Sequence, residues 1–262
     1  MKETNIEALR VLVINPNTST SMTESFRPIL DQLPLANKFN FTYWTCPSGP
    51  TIIRSAADMQ ESVSHCLPLL LKLSSHFDGF IAACYADHPL VRLLQSQIRD
   101  KPVVGIFDAS VYAALHLVSP GSSFGILTTG KPYEYLLNNG VASLLHHDAE
   151  ALRHFAGVAA SGVGLMDLNP DPVSASSARS KITKATKRLL QGYSDLEVIC
   201  MGGVILIGME YWVREACEQV LGVCEGRQIK IVDQLAAGML TLEALLLDKS
   251  PNDIDYRLAL RC

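Results

Sequence analysis

The chain has 262 residues, 48% of them hydrophobic, and a formal net charge of −4. This length suffices for one large α/β unit or two small domains, each with a core. The mildly acidic balance, without a basic run, offers no hold for nucleic acid or an anionic membrane.

The first sixteen residues, MKETNIEALRVLVINP, reach only a short apolar run before Asn15 and Pro16, which predicts a strand and not a signal peptide. No apolar run is long enough to span a bilayer. Seven cysteines (46, 66, 84, 200, 217, 224 and 262) are scattered and odd in number, without the CxxC pairing of a zinc site or an even disulfide framework. A reducing compartment follows, and a soluble, cytoplasmic protein is expected.

Predicted strands are 10–15, 39–45, 78–84, 102–107, 123–129, 196–202 and 228–233. Predicted helices lie between them, at roughly 20–33, 55–75, 88–98, 109–118, 131–139, 173–191, 207–221 and 234–247. Segment 155–165 reads as a further strand weakened by glycines, and 167–180 is the most loop-like region. The strands are continuously apolar, as in a parallel sheet covered on both faces. Their alternation with helices predicts an α/β fold. The two halves resemble each other, each with a strand ending in a distinctive residue, Cys84 in one and Gly203 in the other.

In such sheets ligands bind beyond the carboxyl ends of the strands. Those ends read NPNTSTSMT, CPSGPTII, ACYADHP, LTTGKPY and VICMGG. None is a GxGxxG fingerprint or a Walker loop, and HExxH and GxSxG are also missing. Asn15, Asn17, Thr18 and Ser19 precede a helix, where hydroxyls and free N–H groups hold a carboxylate; the same residues make an ordinary turn and cap. Cys84 closes a buried strand, and Pro89 suits the first turn of the next helix. The positive end of that helix favours a thiolate, with His88 either adding to this effect or capping the helix. Alternatively, Cys84 is a small buried hydrophobe, the common fate of a free cysteine.

The blocks VLVINPNTSTSMT, CPSGPTII, IAACYADHPLV, PVVGIFDAS and FGILTTGKPY together resemble the aspartate/glutamate/hydantoin racemase superfamily, most of all its hydantoin and allantoin racemase-like branch. The resemblance runs from residue 10 to about 247. It implies two similar parallel-sheet domains with the active site in the cleft between them, and chemistry without metal, nucleotide or pyridoxal phosphate. It also implies two cysteines facing each other across the substrate. Cys84 matches the first. The second belongs to a pattern like GCAGM, which here reads GGVIL, so that Gly203 stands in its place. Cys200, three residues earlier, points to the other face of its strand.

One acid/base, Cys84, is therefore expected beside a backbone oxyanion hole. Asn17, Thr18, Ser48, Tyr85, Thr128, Thr129, Tyr133, Gly203 and Val204 are the expected substrate anchors. The expected domains are 1–108 with 215–262, and 109–214. The expected function is a cofactor-independent racemase or epimerase-like reaction on a carbon acid next to a carbonyl, in a hydantoin-like or amino-acid derivative. The alternatives are a one-cysteine decarboxylase, isomerase or cyclase acting through an enolate, and a non-catalytic binding protein. The expected partner is a small molecule with a carboxylate or carbonyl, with neither nucleic acid nor membrane; a homo-oligomer is left open.

Overall fold

The computed structural model describes residues 8–34, 36–169 and 171–247; Cys262 lies outside them. The first half contains β1 (Leu9–Asn15), α1 (Thr20–Leu30), β2 (Phe39–Thr45), α2 (Ala56–Leu73), β3 (Gly79–Ala82), α3 (Pro89–Gln97), β4 (Val103–Gly105) and α4 (Ile106–Leu117). The second contains β5 (Ser123–Thr128), α5 (Lys131–Leu144), α6 (Ala149–Leu152), β6 (Phe155–Ala160), α7 (Pro172–Gly192), β7 (Leu196–Gly202), α8 (Glu210–Leu221), α9 (Val223–Gln228) and β8 (Lys230–Val232); α10 (Gln234–Leu247) follows.

The strands form two four-stranded sheets, ordered β2-β1-β3-β4 and β6-β5-β7-β8, and every pairing is parallel. Helices cover both faces, so Val11, Leu12, Val13 and Ile14 of β1 are all fully buried. In the first sheet the chain leaves β1 on one side to form β2, then crosses to the other side for β3. The second sheet repeats the step from β5 through β6 to β7. Each reversal opens a crevice beyond the carboxyl ends of two central strands. The loops after β1, β3, β5 and β7 are thereby selected to carry the site.

Two expectations change. The predicted strand 102–107 ends at Gly105, and Ile106 and Phe107 instead begin α4 as fully buried residues. A short apolar run cannot be told from a buried helical turn by periodicity. Residues 215–262 were expected with the first half, but β8 pairs with β7, Val198 beside Lys230, and so extends the second sheet. Helix α8 also belongs with the second half, because its buried Val213 and Cys217 share a core with Ile182, Ala185 and Leu189 of α7. Helix α10 returns to pack on α4, β3 and β4.

One core joins the halves. It contains Val11, Val13 and Ile81 from the first sheet, Phe124, Ile126 and Val198 from the second, and Phe107 of α4 between them. Phe107 meets the Tyr85 ring edge-on, with centroids 5.4 Å apart. On its other side α5 comes so close that a Cβ on Gly140 would lie 3.1 Å from Phe107 Cζ.

Because that core is shared, the halves should unfold together. Trp44 sits in the first half and Trp212 in the second. Variants Trp44→Phe and Trp212→Phe, each followed by its remaining indole in urea, should give the same transition midpoint as circular dichroism. Phe107→Ala should lower both midpoints together, with a loss of about 3–5 kcal/mol. Separate midpoints would show two independent folding units.

Candidate active site

The loop after β1 is built by amides. Asn15 is fully buried, and its Nδ2 donates to Asn17 Oδ1 at 3.0 Å, Ser19 O at 2.9 Å and Thr23 Oγ1 at 3.0 Å. Ser19 caps α1, accepting from the Met22 N–H at 3.3 Å. Ser62 of α2 holds the loop from behind, donating to Pro16 O at 2.6 Å. Asn15 is thus spent on scaffolding. Asn17 keeps an Nδ2 whose recorded partner is the weak acceptor Met22 Sδ at 3.3 Å.

Cys84 follows β3, and Ala83 N–H anchors the strand end on Ile14 O at 2.8 Å. His88 caps α3: its Nδ1 accepts from Leu90 N–H at 3.2 Å. This fixes the tautomer with the proton on Nε2, and that buried atom has no partner among the described residues. Burial pushes the His88 pKa down to about 4, so the ring is neutral and lends no positive charge to the thiol. Burial likewise pushes the Cys84 thiol up to about 12. The helix end was expected to favour a thiolate, but desolvation dominates and the resting group is a neutral thiol.

In the second half the central strand ends are locked together, because Thr128 Oγ1 donates to Gly202 O at 2.6 Å. Gly202 has no space for a side chain: a Cβ would fall 2.4 Å from Ile126 Cγ2 and 3.0 Å from both Leu127 O and Tyr85 Cε1. Gly203 adopts φ +154°, which side-chain-bearing residues rarely do, and a short helical turn, Val204–Leu206, follows. The first N–H groups of such a turn have no partner within it. Gln234 steadies it by donating to Gly203 O at 3.2 Å.

These pieces converge on a small chamber of about 70 Å³, lined by Asn17, Cys84, Tyr85, Thr128, Thr129, Tyr133, Gly203 and Val204. Tyr85 presents its ring, while its hydroxyl accepts from Ser110 Oγ at 2.9 Å inside the core. Tyr133 of α5 is half-buried, and burial holds its hydroxyl above the usual phenol range against the opposing charge of Arg54. Thr18 and Ser48 are not brought to the chamber. Thr18 N–H is bound to Pro50 O at 3.1 Å, and Ser48 Oγ lies 3.0 Å from His65 Nδ1 on the exterior. Cys200 is turned inward, with Sγ 3.6 Å from Ser110 O. Among the described cysteines, Cys84 alone lines the chamber.

A second chamber of about 980 Å³ shares a wall with the first through Met22, Ile52, Thr129, Tyr133, Val204 and Ile205. Its lining includes Arg54, a residue not singled out from the sequence. Arg54 is the sole charge between Cys46 and Ala57, in the loop beyond the carboxyl end of β2, and that position could have marked it. No group of three metal-ligating side chains occurs among the described residues, and no described helix is long and apolar enough to cross a membrane.

Comparison with known proteins agrees with this architecture. An uncharacterised protein of Schizosaccharomyces pombe is 32% identical over 242 residues, covering 91% of this chain and 92% of the relative. A hydantoin racemase of Paenarthrobacter aurescens is 24% identical over 200 residues, covering 75% of this chain and 79% of its own. The crystal structure of allantoin racemase from Pseudomonas fluorescens superposes with a TM-score of 0.71 at 24% identity, covering 94% of this chain and 95% of that one, and shows the same fold. The family model for Asp/Glu/hydantoin racemases matches residues 11–241, from β1 to within α10, and therefore includes both switch points and Cys84: the chain belongs to the Asp/Glu/hydantoin racemase family.

Proposed function

We propose that this protein is a cofactor-independent racemase- or epimerase-like enzyme acting on a carbon acid next to a carbonyl, with Cys84 as its acid/base. The observation that carries the reading is the small chamber, where one thiol, the Asn17 amide and the turn at Gly203–Val204 meet at the two switch points. In the reaction, a Cys84 thiolate takes the proton from the carbon. The C–H electron pair moves into the carbonyl, and charge gathers on its oxygen. The open N–H groups at Gly203 and Val204 and the Asn17 Nδ2 hold that oxygen, each such donor being worth about 3 kcal/mol in a water-poor site. The thiol returns the proton to the face it came from, which exchanges the hydrogen with retention. Inversion, as in a racemase, needs in addition a proton delivered to the opposite face of the enolate by a second group or by water. The relatives named hydantoin racemase and allantoin racemase support a hydantoin-like ring or an amino-acid derivative as the substrate.

The resting neutral thiol supports a second reading. A thiol near pKa 12 is suited to protonating an enolate from one face, as a decarboxylase, isomerase or cyclase requires. The two readings share the residues and differ in what generates the enolate.

Cys84→Ser should reduce turnover of a true substrate at least about 10²-fold while leaving the unfolding midpoint nearly unchanged. Undiminished turnover would reduce the thiol to packing. The pH dependence has a definite sign. Below pH 12 the thiol is the major form, so its thiolate fraction grows about tenfold per unit between pH 7 and 9. Alkylation of Cys84 by iodoacetamide, read by mass spectrometry, should climb with that slope, and a plateau below pH 8 would contradict it.

Stereochemistry tests the single thiol. In deuterated water a pure enantiomer of a substrate should gain deuterium with retained configuration. Inversion with full incorporation would require a second acid/base across the chamber. Tyr133 is then the group to replace by Phe, since Cys200 faces the core.

A further inference from the structure

The two chambers differ in size and in lining. About 70 Å³ beside Cys84 admits a reacting centre and the few atoms around it, whereas about 980 Å³ lies at the upper end of small-molecule sites. The larger space is walled mainly by apolar side chains, among them Met22, Ile29, Ile52, Val163, Ile205 and Ile207. A substrate as small as a free amino acid would leave it empty.

The charges around this apolar space are not balanced. Lys181 Nζ is matched by Asp167, at 2.8 and 2.7 Å from its two carboxylate oxygens. Asp167 also accepts from Gly164 N–H at 2.8 Å and from Ser177 Oγ at 2.7 Å, so that pair is complete. Arg54 differs. The neighbouring Asp58 carboxylate takes its backbone N–H at 2.8 Å, a bond that lowers the Asp58 pKa together with the Arg54 charge, but no described carboxylate lies within ion-pair distance of the Arg54 guanidinium. That guanidinium lies beside the hydroxyl of Tyr133, which lines both chambers. A fork of donors with no ion-pair partner among the described residues therefore stands near the junction, against apolar walls where a charge-assisted hydrogen bond gains strength.

We propose that the substrate is an anion carrying a large apolar substituent: its carboxylate pairs with Arg54 near Tyr133, its apolar body fills the outer chamber, and its reacting carbon enters the inner one. This rests on the reading of the inner chamber as the reaction site. Arg54 is then a specificity-determining residue, and the outer chamber sets the size and polarity of the substituent.

The test uses three non-reacting probes, 4-phenylbutyrate, its neutral amide 4-phenylbutyramide, and butyrate. Affinity is measured by isothermal titration, and occupancy by protection of Cys84 from iodoacetamide. In the wild type, 4-phenylbutyrate should bind at least about tenfold more tightly than either other probe, as one charge-assisted bond and one buried phenyl ring each warrant. Arg54→Gln should erase the preference for carboxylate over amide and leave the affinity for the amide unchanged; Arg54→Lys should keep part of the preference. Equal binding of butyrate and 4-phenylbutyrate, an undiminished carboxylate preference in Arg54→Gln, or no binding of any probe would overturn the proposal. The titrations need no turnover. Turnover surviving Cys84→Ser would end the proposed chemistry and leave the binding preference standing, whereas loss of the preference alone would leave the acid/base reading intact.

Discussion

The site depends on the placement of one aromatic ring. Tyr85 follows Cys84 directly, and its hydroxyl accepts from Ser110 at 2.9 Å while its ring meets Phe107 edge-on. Both partners belong to α4, the helix that carries the chain from the first sheet towards the second. On the other side the ring closes over Gly202, so tightly that a Cβ there would be 3.0 Å from Tyr85 Cε1. The loop bearing the thiol, the connecting helix and the end of β7 are thereby packed as one unit. A movement of either sheet against the other has to disturb this contact, which lies in the shared core.

Electrostatics within that unit follow from enclosure more than from charge. The first N–H of α3, that of Leu90, is taken by the His88 cap, and burial raises the Cys84 thiol to about 12. His88 follows the same rule in the opposite sense: once its Nδ1 accepts the capping bond, burial keeps it neutral. The inner chamber is consequently lined by Cys84 as a neutral thiol together with uncharged polar and apolar groups. Among the lining residues of the outer chamber, Arg54 has no ion-pair partner in the described structure.

The glycine pair 202–203 has two separate causes. Gly202 is enforced by packing, since Ile126 and Tyr85 occupy the place of a side chain. Gly203 is favoured by its backbone, at φ +154°, and a Cβ there would lie 3.2 Å from Thr129 Cγ2. The backbone at Gly203 is thus in a conformation in which a side chain is strained.

Much of this was legible in the sequence. Continuous apolar runs such as RVLVIN and LEVICMG could only be strands covered on both faces, and their alternation with helices gave the parallel α/β class. The strand-end rule then pointed to Asn17, Cys84, Thr128 and Gly203, which line one chamber, because that rule depends on topology and needs no side-chain geometry. What the sequence left undecided depended on distance. It could not say that β8 would extend the second sheet, since a three-residue strand is committed by its ladder partner and not by its own pattern. Nor could it separate Thr18 and Ser48, which tie loops together, from Asn17 and Thr129, which line the chamber; all are small polar residues at strand ends. The direction of the Cys84 pKa shift set a local helix dipole against burial by residues far along the chain, and only the assembled core decided it. Arg54 stayed hidden for the same reason: a single arginine in a loop becomes notable only when folding sets it beside Tyr133, on the wall of an apolar chamber.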